Sequence, residues 1–64
     1  MSSVIQTFAY DAPAERLDVR FVSGRLYHYY GVPARLAAAM KRATSKGRFF
    51  NLRIRDHFRF TRDD

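Results

Sequence analysis

Residues 16–30, RLDVRFVSGRLYHYY, decide the fold. Leu17, Val19 and Phe21 alternate with Asp18, Arg20 and Val22, the two-residue period of a strand with one face against a core. Ser23-Gly24 interrupts the pattern, and Leu26 to Tyr30 resumes it with strand-forming residues, so the stretch predicts a hairpin. Its loop sets which tyrosines face inward, because a one-residue slip sends every side chain to the other face. A two-residue loop would force Ser23 to positive φ. Val22-Ser23 followed by Gly24 in the left-handed region instead builds a type I turn with a G1 bulge. That loop pairs Phe21 with Arg25, Val19 with Tyr27 and Leu17 with Tyr29. Tyr27 and Tyr29 then face the core, while Arg20, His28 and Tyr30 share the opposite face.

Working outward, Ser3 to Tyr10 carries Val4, Ile5, Thr7, Phe8 and Tyr10 with no helix start signal and reads as a first strand. Pro13, and an Asp11 able to bond the following backbone, make 11–15 the connecting turn. On the other side Gly31-Val32-Pro33 stops the sheet, with Pro33 as the first helical residue, where its missing N–H costs nothing. Residues 33–43 are strong helix formers with Leu36, Ala37, Met40 and Ala43 on one side. Ser45 is a candidate N-cap. The stretch 46–55, KGRFFNLRIR, fits both periods: Phe50, Leu52 and Ile54 alternate as in a strand, yet Phe50 and Ile54 are also an i,i+4 helical pair. Phe58 and Phe60 suggest a short final extended segment closing an edge, and 61–64 read as a polar tail. The expected fold is α+β, a three-stranded antiparallel meander packed against one longer and one short helix.

At 64 residues the chain is below the usual size of a single domain. With 47% hydrophobic and 16% aromatic residues it is composed to fold, and with no cysteine it has no disulfide to help. Only His28 and His57 offer imidazole ligands, so neither metal nor other cofactor is expected. No apolar run approaches the ~20 residues of a membrane span and no leader resembles a signal peptide, so the expectation is a cytoplasmic chain without membrane partners.

Twelve Lys and Arg against six Asp and Glu leave a net charge of +6, a field that favours an anionic partner. Eight of the twelve are Lys41, Arg42, Lys46, Arg48, Arg53, Arg55, Arg59 and Arg62, and Asp56 is the one acid within 41–62. Six of the eight are Arg, whose planar fork donates two parallel hydrogen bonds to a phosphate. The bland alternative is a solvated basic surface. Aromatic residues interleave with Arg around Tyr27 to Tyr30 and at Arg48-Phe49-Phe50, as in proteins that stack unpaired bases. A core this small needs its rings, however, so Tyr27 and Tyr29 are expected to be chiefly structural, leaving His28 and Tyr30 exposed. Catalysis is not expected: Asp56-His57 are adjacent, point to opposite faces on an extended segment, and lack a nucleophile. Gly47 belongs to no phosphate-binding loop.

Tyr10-Asp11, Leu17-x-Val19-x-Phe21-x-x-Gly24-x-x-Tyr27-x-Tyr29, Val32-Pro33, Ser45-Lys46-Gly47-Arg48-Phe49-Phe50-Asn51 and Ile54-Arg55, in that order, resemble the KTSC domain. This small module is similar to a C-terminal segment of some lysyl-tRNA synthetases and also occurs alone. The resemblance implies a free-standing bacterial or phage member with RNA binding as the suggested activity and no catalytic residues to carry over. It also implies a short helix from Lys46 to about Ile54, capped by Ser45. The functional expectation is a non-catalytic module for RNA or single-stranded nucleic acid. Arg42, Lys46, Arg48, Arg53 and Arg55 would hold phosphates, and His28 and Tyr30 would contact bases. The alternative is a protein-interaction module that docks an acidic partner or forms a homodimer.

Overall fold

The computed structural model describes residues 4–63. Ser3 and Asp64, the expected start of the first strand and end of the tail, lie outside them. Strands β1 (Ile5–Asp11), β2 (Arg16–Phe21) and β3 (Leu26–Tyr30) form the meander. Helix α1 (Ala34–Arg42) follows, then α2 (Lys46–Phe49), which runs on as a π-helical turn, Phe50–Ile54, and strand β4 (Arg59–Asp63). All neighbouring strands are antiparallel, in the order β1-β2-β3-β4.

The central hairpin has the expected register, with Val19 opposite Tyr27 and Leu17 opposite Tyr29. The Gly24 N–H donates to the Phe21 carbonyl at 2.8 Å and the Phe21 N–H to the Arg25 carbonyl at 2.9 Å. Gly24 has φ +95°, where a side chain would be strained. In the β1–β2 turn the Ala14 N–H reaches the Asp11 carboxylate at 3.4 Å and the Glu15 N–H reaches the Ala12 carbonyl at 3.1 Å. The Tyr10 hydroxyl donates to the Val32 carbonyl at 2.6 Å, tying β1 to the segment that enters α1.

Two boundaries differ from expectation. Pro33 is the N-cap of α1 rather than its first helical residue: its ψ of 150° is extended, and its carbonyl accepts from the Leu36 and Ala37 N–H groups. The second difference is larger. The expected short final extended segment is present, but it runs on through residues 61–63, expected in a polar tail, and pairs with β3 as a fourth strand, β4. Every residue of β4 is exposed, so it carries no apolar period; its strand character comes from backbone pairing with β3.

Ser45, the candidate N-cap, caps α2 by accepting the Arg48 N–H at 3.3 Å. The ambiguous stretch is helical, and the π turn closes where the Arg55 N–H donates to the Phe50 carbonyl at 2.8 Å. Phe50 and Ile54, the i,i+4 pair, are both buried. They join Ile5, Leu17, Val19, Tyr29, Val32 and Met40 in one core between the sheet and the helical segments.

Candidate functional site

On the helix-facing side of the sheet, the alternation that buries Leu17 and Val19 also carries Phe21, Tyr27 and Tyr29. Phe60, opposite Tyr29 across the β3–β4 ladder, extends this aromatic row onto β4. The π turn covers one end of the row with Phe50 and leaves the other end open. The result is a groove of about 660 Å³ lined by these five rings, by Val4, Val22 and Ser23, and by Arg25, Asn51, Arg55 and Asp56.

The rings hold one another in place. Phe50 meets Phe21 and Tyr29 edge-on, with centroids 5.4 and 5.2 Å apart. Tyr27 and Tyr29 are nearly parallel at 6.3 Å, and Phe60 tilts against both at 5.5 Å. The row is packed at its base and open at its edge: Tyr29 is 4% exposed, Tyr27 half-buried and Phe60 52% exposed. Burial pushes the Tyr29 hydroxyl up to about 12, with Tyr27 and Asp56 adding to the rise and Arg55 opposing it. Tyr29 is therefore a neutral phenol at physiological pH.

The predicted phosphate-holding residues do not form one cluster. Arg55 lines the aromatic groove, where it is joined by Arg25 rather than by the other expected cations. Lys46 lies on a different groove with Lys41, beside Phe8, Tyr10 and the alanines of α1, and its ammonium donates to the Ala43 carbonyl at 3.1 Å. Arg53 lies over the Phe49 ring, 5.7 Å from its centroid. Arg42 and Arg48 are exposed on α1 and α2. Among the described residues, none of Arg25, Arg42, Lys46, Arg48, Arg53 and Arg55 is ion-paired with a carboxylate.

His28 and Tyr30 lie on the face away from the helices, as the register requires, but both are engaged. His28 Nδ1 sits 2.5 Å from the Asp18 carboxylate, an acceptor, and so carries the proton there; Nε2 is 3.8 Å from Asp63. Asp18 also accepts from Arg16 Nε at 3.0 Å, and that bond makes the guanidinium hold its proton more firmly. The Tyr30 hydroxyl pairs with Thr61 at 2.9 Å. These polar contacts clip neighbouring strands together through the ring edges, and both side chains remain partly exposed. Arg25, Asn51 and Phe60 also line the aromatic groove, although nothing in the sequence singles them out as candidates. Tyr27, expected to be chiefly structural, is packed on one side and partly open on the other, as a ring at the margin of a core can be.

A family model described as the KTSC domain matches residues 1–58. This chain belongs to the KTSC family. The crystal structure of a KTSC domain protein from Yersinia pestis superposes with a TM-score of 0.89 at 35% identity, over all of this chain and 92% of that one. An uncharacterized protein of Stutzerimonas stutzeri is 39% identical over 98% of this chain and 90% of its own length. A lysine–tRNA ligase of Nostoc punctiforme is 38% identical over 91% of this chain, which spans only 10% of that enzyme. The KTSC unit thus stands alone in some proteins and forms a small part of a much larger one in others.

Proposed function

We propose that this KTSC domain is a non-catalytic module that binds single-stranded RNA in the aromatic groove. The observation that carries the reading is the meeting, in one groove, of partly open Tyr27 and Phe60 rings with the guanidinium groups of Arg25 and Arg55, neither of which is paired to a carboxylate among the described residues. Unpaired bases stack on such rings whatever their sequence, while guanidinium groups hold the flanking phosphates. Asn51 adds an amide able to donate to and accept from a base edge. The related segment in an enzyme named for its action on tRNA is consistent with an RNA partner. The remaining cations, Arg42, Lys46 and Arg48 among them, lie outside the groove and supply a general attractive field.

A titration of ¹⁵N-labelled protein with short single-stranded RNA, single-stranded DNA and duplex DNA at two salt concentrations tests the proposal. Shifts that centre on Arg25, Tyr27, Asn51, Arg55 and Phe60, strongest with RNA, are expected. No response to any of the three polyanions would overturn it.

A further inference from the structure

Strand β4 ends the sheet with all five residues, RFTRD, exposed. An edge strand presents backbone N–H and C=O groups on its outer side, and sequences usually blunt such an edge. The other edge is blunted: β1 changes register between Ile5 and Thr7. Strand β4 has no such irregularity, and its sequence is complementary to itself. Laid antiparallel to a second copy about Thr61, it brings Arg59 opposite Asp63, Phe60 opposite Arg62 and Thr61 opposite Thr61. Arg59, Thr61 and Asp63 share the face away from the helices, so both opposite-charge pairs fall on one surface, once on each side of the axis. The same operation on β1 about Phe8 sets Ile5 against Asp11, with no match of charge or polarity.

We infer that β4 is a self-association edge, and that a second copy of this chain pairs with it antiparallel to give a continuous eight-stranded sheet. Pairing β4 with β1 of another copy would be head-to-tail and would not close, whereas β4 with β4 is isologous and closes as a dimer. The two-fold axis runs through the sheet, so the helices of both copies lie on the same side. Phe60, on that side of β4, then carries the two aromatic grooves to a common seam. The contact is five residues long, which places it among small, concentration-dependent interfaces.

Charge reversal tests the inference. Sedimentation velocity on wild type from micromolar to about millimolar protein should show a monomer–dimer shift, of the kind small interfaces give. R59D alone sets two carboxylates face to face and D63R alone sets two guanidinium groups face to face, so each stays monomeric over the same range. An equimolar mixture of the two associates as a heterodimer, and the swapped double variant R59D/D63R recovers the wild-type behaviour. Asp63 also lies near His28 within its own chain, and rescue on mixing separates a lost interface from a disturbed strand. Concentration-dependent amide shifts of wild type, confined to 59–63, give a readout that needs no variant. Wild type that remains monomeric throughout, or single variants that dimerise as it does, would overturn the inference.

Discussion

The two halves of this chain treat charge in opposite ways. Residues 1–32 hold three basic and three acidic side chains, and residues 33–64 hold nine and three, so the whole excess of +6 belongs to the second half. In the first half the charges clip strands together: Arg16 reaches Asp11 at 3.5 Å and Asp18 at 3.0 Å, and Asp18 takes His28 from the next strand. In the helical part of the second half the cations point to solvent, lie on rings or donate to the backbone, with no carboxylate partner among the described residues. Charges that are paired specify register, and charges left over create a field for something else to neutralise. The aromatic groove lies where the halves meet, taking Arg25 and Tyr27 from one and Arg55 and Phe60 from the other.

The sharpest way to break this contrast is to ask whether the second half is merely an appendage. Ile54 is fully buried against the meander's core, so Ile54→Ala should cost about 2–5 kcal/mol. On a domain whose core supplies only about 3–5 kcal/mol, the whole chain should unfold, read by loss of dispersed amide signals. A meander that stays folded would show the halves to be independent. Phe60→Ala removes a half-exposed ring from the groove. It should weaken single-stranded RNA binding by about 1–3 kcal/mol and, through the lost contacts with Tyr27 and Tyr29, lower the melting temperature while leaving the domain folded, checked by fluorescence anisotropy beside thermal denaturation. Ser45→Ala, which removes the α2 cap, should cost about 1 kcal/mol in urea denaturation and leave RNA contacts alone.

A pH effect sharpens the comparison from the other side. The Tyr29 hydroxyl holds its proton to about 12 in the folded chain, while an unfolded tyrosine releases it near 10. Between these values the unfolded state binds fewer protons, so this contribution to stability is intact below pH 10 and declines as pH rises to about 12. Melting temperatures measured across that window should fall in wild type and fall less steeply in Tyr29→Phe.

The hairpin was legible because its loop has only one unstrained solution: Gly24 can take φ +95° and Ser23 cannot do so cheaply, and this fixes the partners of Val19 and Leu17. Helix α1 was legible from its formers and the stop at Pro33. The start of strand β4 was legible from Phe58 and Phe60, but its run through Thr61, Arg62 and Asp63 was not, because these exposed polar residues carry no apolar period and only pairing with β3 makes them extended. Of the candidate surface, the composition was legible and the spatial arrangement was not. Composition announced a basic surface with aromatic residues, but sequence distance is a poor guide to which cations share a groove: Lys46 and Arg55, nine apart, line different grooves, while Arg25 and Arg55, thirty apart, line the same one.

That last pairing is what a single measurement can test. Each phosphate neutralised on a single strand contributes about −0.7 to the slope of log affinity against log salt. With Arg25 and Arg55 each holding one phosphate, the double variant R25A/R55A should lose about 1.4 of the wild-type slope for a short oligouridine, while R42A/R48A should lose almost none. A slope left unchanged by R25A/R55A and flattened by R42A/R48A would contradict the account and return the binding surface to the helices.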